Sequence, residues 1–491
     1  MVIIIKIIQL LLALSILVFI HEFGHFIAAK IFNTRVEKFY MFFNPNFSIV
    51  RFKKVHGKWR FAFFSKNTPE NYNTYEYIDP ITNKKEYRYE QIDLSTLPED
   101  DWRTDEEHTE FGIGWVPLGG YCKIAGMIDE SMDLAQMKKD PEPWEFRSKP
   151  AWQRLIIMVG GVFMNVVLAY VIYTCMLISH GEQYLPTSEV NKYGIYADNL
   201  AKDMGFCDGD KILSVDGNYI DNFQQIPMEI LLEKTKTVEV ERNGQRITIE
   251  LPEDATKRLI QHQSSFISYR IPFVISDFAS NSIAESAGLA KGDRIIMING
   301  ISTPYYQDYM MNIKQFAGES ITIGAIRDND TIYATMDLPE EALIGVYRES
   351  MIELKTQEYT FLEAIPKGFS KTGKELSDYW KQLKLIFNPS TKAYESLGGF
   401  ISIGNIFPDT FNWGQFWRLT AFLSIILAVM NILPIPALDG GHVLFLLVEM
   451  ITRRKPSDKF LEIAQSVGLI ILLILLVYAN GNDIITLQDA F

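Results

Sequence analysis

Apolar residues along this chain are concentrated in four long runs that are separated by polar sequence. The first run covers residues 1–32, and Lys6 is the only charged residue in it before position 21. The other runs cover residues 151–180, 417–442 and 460–479, and each is close to the ~20 residues that cross a bilayer core. The pattern predicts a polytopic α-helical membrane protein with four transmembrane helices.

Basic residues close to the ends of these runs predict the orientation of the chain. They flank the two loops at 33–150 and 443–459, and the opposite side of the predicted spans is poor in them. The residues concerned are Lys30, Arg35, Lys38, Arg147, Lys149, Arg154, Arg453, Arg454, Lys455 and Lys459. The positive-inside rule places both loops in the cytosol, and it places the termini and the region between the second and third runs outside.

The region between the second and third runs contains an internal repeat. The sequence GFCDGDKILSVDG at 205–217 recurs as GLAKGDRIIMING at 288–300, with every glycine matched. Each copy predicts a turn of small residues, a β-strand and an Asp-Gly or Asn-Gly turn. We expect two α+β modules, at 182–256 and 265–345. Residues 360–416 are then predicted to form an amphipathic helix and a linker to the third span.

The cytosolic loop at 33–150 has a mixed pattern. Residues 40–64 are rich in aromatic and β-branched residues with rough alternation, which predicts strands. Residues 67–110 are polar and acidic and predict an exposed insertion, to which we assign no function. Residues 111–121 return to an apolar, glycine-rich sequence, which predicts a hairpin that dips toward the bilayer.

The candidate chemistry begins within the first apolar run, at His21-Glu22-Phe23-Gly24-His25. Two histidines four residues apart lie on one face of a helix and can share a metal ion, with the intervening glutamate beside a water molecule. Ionisable side chains at membrane depth are costly and usually functional. Hydrolysis of peptide bonds within or next to the bilayer is therefore the leading hypothesis.

A second polar cluster lies in the third run, where NILPIPALDGGH covers residues 431–442. Spans one and three run in the same direction, so Asp439 falls at a depth similar to that of His21. Asp439 is therefore available as a third metal ligand, since zinc hydrolases use three protein ligands and one open position. His442 is a rival third ligand, and Asp439 can alternatively be only a turn residue, because Asp-Gly turns are common.

Composition narrows the function classes. The 491 residues carry a net charge of -13, which argues against nucleic-acid binding. Hydrophobic residues make up 48% of the chain, which lies between a soluble enzyme and a wholly embedded transporter. Cys122, Cys175 and Cys207 are far apart and support neither a disulfide framework nor a cysteine zinc site.

The HEFGH motif, the two repeat copies and the later N-x-x-P-x-P-x-L-D-G motif together resemble the site-2 protease family of intramembrane zinc metalloproteases. The likeness is to its bacterial RseP-like branch, which carries two PDZ domains, and it extends over nearly the whole chain. The resemblance implies a Zn²⁺ cofactor and a set of site residues. They are His21, His25 and Asp439 as zinc ligands, Glu22 as general base and acid, and Asn431 as a residue that holds substrate or the oxyanion.

Further substrate-binding residues follow from the resemblance and from the pattern. Gly119, Gly120 and Tyr121 resemble the family's membrane-re-entrant β-loop, and residues 160–165 resemble its small-residue motif in the second span. Pro434 and Pro436 break the third span and free backbone groups for substrate. Asn165 is expected either to contact substrate or to join helices. The turn at Phe43-Asn44-Pro45-Asn46 departs from the family's small-residue turn, so no function is assigned to it.

The expected mechanism is metal-assisted hydrolysis. Zinc lowers the pKa of water and polarises the scissile carbonyl, and Glu22 moves the proton to the leaving amine. A transmembrane helix must unwind locally first, and the residues at 119–121 would hold the unwound stretch as an added strand. The expected partners are membrane lipid and single-span membrane proteins in the bacterial inner membrane, either an anti-sigma factor or signal-peptide remnants. The external PDZ-like pair would admit only substrates that have been trimmed.

Three alternatives remain at the level of the sequence. The first is a membrane-anchored zincin that acts on soluble proteins with a Glu as third ligand, against which the apolar helix around the motif argues. The second is a non-catalytic membrane scaffold with PDZ domains, against which the intact Glu22 argues. The third is a transporter with broken helices, which four spans and two repeat copies fit poorly.

Overall fold

The computed structural model describes residues 2–69, 72–78, 85–117, 119–127, 140–262 and 266–489. Residues 70, 71 and 79–84 of the predicted insertion therefore lie outside the described residues. The chain divides into two compact units. The first unit comprises Met1–Ser179, Tyr359–Trp380 and Leu397–Phe491, and the second comprises His180–Glu358 and Lys381–Ser396.

Both units contain α-helices. In chain order, the α-helices of the described chain are α1 (Val2–Ile31), α2 (Ala151–His180), α3 (Thr187–Val190), α4 (Asn199–Asp203), α5 (Ile226–Leu232), α6 (Ala255–Gln261), α7 (Ile283–Ser286), α8 (Tyr306–Ile313), α9 (Phe361–Ile386), α10 (Phe400–Asn405), α11 (Trp413–Ile432), α12 (Asp439–Thr452) and α13 (Asp458–Asp489). Short 3₁₀ turns cover Leu94–Thr96, Trp102–Thr104, Phe146–Ser148, Phe223–Gln225, Lys314–Phe316 and Ala393–Ser396.

The strands belong to one sheet in the first unit, to several sheets in the second, and to one separate hairpin. They are β1 (Val36–Met41), β2 (Phe47–Val55), β3 (Lys58–Lys66), β4 (Tyr72–Ile78), β5 (Lys85–Gln91), β6 (Glu110–Ile113), β7 (Tyr121–Ile124), β8 (Glu182–Tyr184), β9 (Ile195–Ala197), β10 (Lys211–Val215), β11 (Thr237–Arg242), β12 (Gln245–Glu250), β13 (Ile267–Tyr269), β14 (Phe273–Phe278), β15 (Arg294–Ile298), β16 (Ile301–Ser302), β17 (Ser320–Arg327), β18 (Asp330–Asp337), β19 (Val346–Arg348) and β20 (Lys355–Gln357).

Four helices among the described residues are long and apolar enough to cross a membrane, namely α1, α2, α11 and residues 459–485 of α13. This content fits the predicted polytopic membrane protein. The third predicted span differs in its bounds, because α11 ends at Ile432 and Asp439 begins the separate helix α12. Pro434 and Pro436 cause the break, since proline lacks the N–H that a continuing helix needs. The fourth helix extends beyond the predicted end at 479.

The sheet of the first unit has the strand order β3-β2-β6-β1-β7. The prediction of strands within residues 40–64 is confirmed by β1, β2 and β3. The predicted hairpin at 111–121 is wrong, because β6 and β7 do not pair with each other. They lie on either side of β1, with β6 parallel and β7 antiparallel to it. This pairing leaves β7 as one edge of the sheet.

The end of the predicted exposed insertion is part of the same sheet. Glu110 opens β6 and is only 3% exposed, and Thr109 and Asp105 are buried with it. The expectation of an exposed segment up to residue 110 is therefore wrong at this end. The cause is strand pairing, since β6 lies between β1 and β2 and its residues are enclosed on both sides.

The second unit contains two β modules, each with its own apolar core. The first core extends to Phe266 and Ile267, and the second begins at Phe273. The predicted boundary therefore moves, because β13 pairs with β9 and completes the first module. In addition, β8 pairs with β20, so the paired strands of the second unit extend beyond residue 345, the predicted end of the second module. Such pairings join segments that are far apart in sequence, which no local pattern reveals.

Both modules contain the same ion pair between a buried aspartate and a partly exposed arginine. In the first module Arg242 donates from Nε and Nη2 to the two carboxylate oxygens of Asp210, at 2.7 and 2.8 Å. In the second, Arg327 binds Asp293 in the same manner, at 2.7 Å to each oxygen. Each arginine also donates to the carbonyl oxygen of the first glycine of its repeat copy. The repeated sequence thus forms the same set of contacts, from an arginine to an aspartate and to a glycine carbonyl, in both modules.

The predicted helix after the second module is confirmed as α9. Its apolar residues recur with helical spacing, and the buried side of its first part includes Ala364 and Thr372. Gly368 allows close contact with α2, because a Cβ there would lie 2.1 Å from Thr174 Oγ1.

Candidate metal centre

Helix α1 places His21 and His25 on one face, as the four-residue spacing predicts. Both residues are buried, at 7% and 6% exposure, and their Nε2 atoms are 3.3 Å apart. His25 Nδ1 lies 2.9 Å from the carbonyl oxygen of Ile157 on α2. Because that carbonyl only accepts, Nδ1 carries the proton, and the lone pair of Nε2 faces His21.

Asp439 brings a carboxylate to the same point from the first turn of α12. Its Oδ2 lies 3.1 Å from His21 Nε2 and 3.3 Å from His25 Nε2. This oxygen is buried, and among the described residues no donor makes a hydrogen bond to it. One atom from each of the three residues lies within 4.8 Å of the others.

These three donors fit a zinc ion. Imidazole nitrogen and carboxylate oxygen bind Zn²⁺ at about 2.0–2.2 Å, so two ligands of a tetrahedral ion lie roughly 3.3 Å apart. The observed separations of 3.1–3.3 Å match that spacing. A buried carboxylate oxygen without a hydrogen-bond donor is also costly unless a cation satisfies it. The chemistry of the three donors, the distances between them and the carboxylate oxygen without a donor are all consistent with a bound zinc ion.

Glu22 lies between the two histidines in sequence and lines a cavity beside them. The backbone N–H of Cys122 on β7 donates a hydrogen bond to its carboxylate. The edge strand of the sheet therefore holds the glutamate in place beside the three donors.

The cavity measures about 780 Å³, which is enough for several residues of an extended peptide. Most of its wall is formed by α1, by β7 with the two preceding glycines, and by α11 and α12 with the turn between them. The lining residues are Val18, His21, Glu22, His25, Lys38, Phe43, Asn67, Thr68, Gly119, Gly120, Tyr121, Cys122, Lys123, Ile124, Met127, Met158, Leu427, Asn431, Ala437, Leu438, Asp439, His442 and Gln465.

The other predicted site residues fall at different places. Asn431 lines the cavity, and its Nδ2 lies 3.2 Å from His21 Nε2. Pro434 and Pro436 are not in the cavity wall, where the following residues Ala437 and Leu438 are found instead. His442 lines the cavity but does not belong to the group of three donors.

The contacts of Asn165 agree with the second of its two expected roles, which is to join helices. It is fully buried on α2 and lies outside the cavity wall, so it is not placed to contact a substrate. Its amide nitrogen is 3.1 Å from His21 Nδ1, and its Oδ1 has no hydrogen-bond partner among the described residues. Amide orientation is an assignment, and a half-turn would present Oδ1 to a proton on Nδ1. Asn165 therefore supports His21 from behind.

Three glycines allow α1 and α2 to approach at the site. A Cβ on Gly24 would lie 2.2 Å from the carbonyl oxygen of Gly160, so the two backbones are in direct contact. A Cβ on Gly161 would lie 2.4 Å from His25 Nε2 and 2.7 Å from His21 Cε1. The small residues in both helices are thus required by the histidine pair.

Sequence reasoning missed several residues of the cavity wall. Asn67 and Thr68 were included in an insertion without a function, and Lys38, Lys123 and Gln465 were not considered as site residues. No motif marks these positions. Their placement depends on the pairing of β1, β6 and β7 and on the packing of α13.

Comparison with known proteins gives a consistent result. The profile of peptidase family M50 matches residues 9–65 and 96–475. The chain is 28% identical over 411 residues to the regulator of sigma E protease of Haemophilus influenzae, covering 78% of this chain and 89% of that protein. It is 25% identical over 490 residues to a putative zinc metalloprotease of Borreliella burgdorferi, covering 98% of each. It is 24% identical over 500 residues to protease RseP of Yersinia pestis, covering 96% and 97%.

Proposed function

The chain belongs to peptidase family M50, whose members are zinc metalloproteases, and on that premise we propose that it cleaves transmembrane segments of single-span membrane proteins. The observation that carries the proposal is the placement of His21, Glu22 and His25 on an apolar, membrane-length helix, with Asp439 brought to them from the start of α12. Polar groups at that depth are costly, so a site built from them implies chemistry on a substrate in the bilayer.

In this proposal His21, His25 and Asp439 hold the zinc ion, and Glu22 handles the proton. A zinc ion held there would polarise the scissile carbonyl and lower the pKa of the attacking water. Glu22 takes the proton from the water and delivers it to the leaving amine, so that the two products separate as acid and amine. The hydrogen bond from Cys122 N–H keeps the Glu22 carboxylate beside the donors.

The edge strand β7 and the preceding glycines bind the substrate in the proposed mechanism. An extended segment can add to β7 as a further strand, with its backbone groups paired and the scissile bond beside Glu22. Gly119 and Gly120 fit this role because neither has room for a side chain. A Cβ would lie 2.6 Å from the Phe43 ring at Gly119 and 2.5 Å from the Tyr40 carbonyl oxygen at Gly120.

The break between α11 and α12 supplies the opposite wall. Asn431 lies in the last turn of α11 with its amide near His21, and in this proposal it donates to the oxyanion. Ala437 and Leu438 lie in the turn that the two prolines enforce. We propose that Pro434 and Pro436 act on substrate only through this turn, by keeping its backbone free of helix hydrogen bonds.

We further propose that the enzyme lies in the bacterial inner membrane with its termini and the two β modules outside the cytosol. The modules resemble PDZ domains and would act as a size filter that admits trimmed substrates. Suitable substrates are an anti-sigma factor or the remnants of signal peptides, as single spans with a short external part. The relative named regulator of sigma E protease supports the first of these.

The activity is tested by cleavage of a single-span test substrate in reconstituted bilayers, with wild type and Glu22→Gln compared and zinc quantified in both. We expect cleavage by wild type alone and one zinc per chain in both proteins, because Gln keeps the ligands but cannot take the proton. Equal cleavage by both proteins would refute the role of Glu22. No cleavage by wild type despite bound zinc would favour the non-catalytic scaffold.

The size filter is tested by replacing residues 182–357 with a short linker. This range begins and ends at the paired strands β8 and β20, so it removes the modules as a closed piece. We expect the shortened protein to cleave substrates that still carry a folded external domain, which the full protein rejects. Unchanged selectivity, measured on the same pair of substrates, would refute the filter.

A further inference from the structure

Two residues of the cavity wall belong to a part of the chain that the family profile does not match. Residues 66–95 lie between the two matched ranges, and Asn67 and Thr68 are at the start of this segment. Both are half-buried and line the same cavity as Glu22 and Tyr121. The start of this segment therefore contributes to the site although it lies outside the ranges that the family profile matches.

Asn67 is connected to the substrate loop through Asn44. Its Oδ1 accepts from Asn44 Nδ2 at 3.2 Å, and its Nδ2 donates to the carbonyl oxygen of Asn44 at 2.5 Å. The Asn44 side chain is only 8% exposed, and its Oδ1 accepts from the Tyr121 hydroxyl at 3.0 Å. A continuous chain of side-chain hydrogen bonds thus runs from Asn67 to the residue after Gly119 and Gly120.

Thr68 begins a second branch of the same network. Its Oγ1 donates to Glu110 Oε2 at 2.8 Å and accepts from Arg51. Glu110 accepts from the Tyr40 hydroxyl at 2.6 Å through its other oxygen. Tyr40 is fully buried and stacks on Tyr121, with ring centroids 5.3 Å apart and planes within 4°.

Both branches end on one side chain. Tyr121 receives the hydrogen-bond branch at its hydroxyl and the stacking branch at its ring, and it opens the edge strand β7. The next residue, Cys122, holds Glu22. A buried polar network that is fully satisfied is rigid, so its first member influences the position of its last.

We propose that Asn67 and Thr68 are positioning residues that set substrate selection by fixing Tyr121 and the Gly119–Tyr121 loop. The inference rests on the proposed function, since it concerns how that site selects an extended transmembrane segment. The zinc donors do not touch Asn67 or Thr68, so metal binding is independent of them.

The first test is the steady-state cleavage of single-span substrates by wild type and Asn67→Ala in bilayers. Removing the amide takes from the buried Asn44 side chain one of its two side-chain acceptors and leaves only Ser48 Oγ at 3.1 Å, so the acceptor of the Tyr121 hydroxyl is held less firmly. We expect kcat/KM to fall about tenfold, mainly because KM rises, with zinc content and the thermal unfolding midpoint unchanged. A loss in kcat alone, or a loss of zinc, would overturn the assignment as a positioning residue.

A double-mutant cycle separates this role from general damage to the fold. Tyr121→Phe removes one hydroxyl and keeps the ring stacked on Tyr40, so it remains informative if Asn67→Ala does not fold. We expect Asn67→Ala with Tyr121→Phe to raise KM no more than the larger single change, because both act through Asn44. Additive effects on KM would show that the two residues act separately and would refute the proposal.

Selectivity is the second readout. On two substrates that differ only in a Ser or a Leu beside the scissile bond, we expect Asn67→Ala and Thr68→Val to bring the kcat/KM ratio toward one. Ser95→Ala is the matched control, because Ser95 is exposed at the other end of the same segment and bonds locally to Asp93. An unchanged ratio in both variants would refute the inference, whereas a wild type that cleaves neither substrate would refute the proposed function itself.

Discussion

Buried carboxylates are treated differently in the two units of this molecule. In the second unit, Asp210 and Asp293 are fully buried, and in each case an arginine binds both oxygens. A backbone N–H adds a further bond to each, from Cys207 and from Ala290. In the first unit, Asp439 faces two imidazoles and keeps one buried oxygen without a hydrogen-bond donor among the described residues.

The difference separates a structural charge from a functional one. A buried charge that is completely paired holds its surroundings together, and it offers nothing to a ligand. A buried carboxylate with an unsatisfied oxygen is stable only if a ligand completes it. The fully paired aspartates of the modules are therefore the comparison for Asp439. Variants of the module pairs are expected to lower local stability and keep zinc, whereas variants at the metal centre are expected to lose zinc and keep the modules protected.

The largest effect is expected from Gly161→Ala. The added methyl would overlap His25 Nε2 and His21 Cε1, so both imidazoles must move away from their present positions. Because displacements of about 1 Å cost roughly 100-fold in rate, we expect at least that loss in cleavage together with loss of zinc. Zinc content and cleavage rate are the measurements.

Gly373→Ala on α9 is the matched control for that variant, because nothing lies within 4 Å of a Cβ there. It should leave zinc and activity at wild-type values. Loss of activity in both variants would mean that glycine-to-alanine changes damage this membrane unit in general, and that Gly161 has no special relation to the histidines.

The next effect concerns the residue behind His21. Asn165→Ala removes the amide beside His21 Nδ1, and the loss of such a support typically weakens metal binding 10–100-fold. We expect that decrease in zinc affinity, measured by competition with a chelator, and partial recovery of activity when zinc is added. Ser424→Ala is the control, since its hydroxyl binds the backbone carbonyl of Asn165 and not the amide. Equal zinc affinity in Asn165→Ala and wild type would refute the supporting role.

Smaller, local effects are expected in the modules. Arg242→Gln and Arg327→Gln each leave a buried aspartate without its main partner, in equivalent positions of the two copies. We expect faster amide hydrogen exchange in the strands of the affected module only, with zinc content unchanged. Exchange that rises in neither module would show that the arginine–aspartate pair contributes no stability.

The smallest effect is a dependence on pH. Burial raises the pKa of Asp293, but hydrogen bonds from the Arg327 guanidinium outweigh burial and hold the pKa below its usual range. The stabilisation is therefore fully present above the unfolded value of about 3.9, and it is lost as the pH falls below that value. Protection factors, which correct exchange rates for the intrinsic effect of pH, should fall in the second module below about pH 4 in wild type, and the fall should be weaker in Arg327→Gln.

How far the sequence predicts this molecule differs between its parts. The helix with His21 and His25 followed from spacing and hydrophobicity, because those depend on neighbours along the chain. The depth argument for Asp439 rested on a continuous third span, and the helix actually breaks before Asp439. His21, His25 and Asp439 nevertheless come together, because the turn between α11 and α12 covers the residues that the prediction had counted as helix.

Contacts between distant segments account for what the sequence did not predict. The strand at Ile267–Tyr269 belongs to the first module because it pairs with β9, and a boundary drawn from the repeat alone misplaces it. Asn67 lies at the cavity because β3 ends beside the turn that contains Asn44, in a segment whose composition indicated only an exposed loop. Asn165 looked like other polar residues in a span, and only the crossing of α1 and α2 shows that it supports a histidine.

The most direct test of the account is the number of zinc ions per chain in purified Asp439→Asn and Asp293→Asn, with hydrogen exchange of the second module followed in both. Each change removes one carboxylate charge without changing the side-chain size. We expect that Asp439→Asn loses zinc and keeps a protected module, and that Asp293→Asn keeps one zinc per chain and loses protection. Zinc retained with wild-type affinity by Asp439→Asn would contradict the assignment of the metal centre.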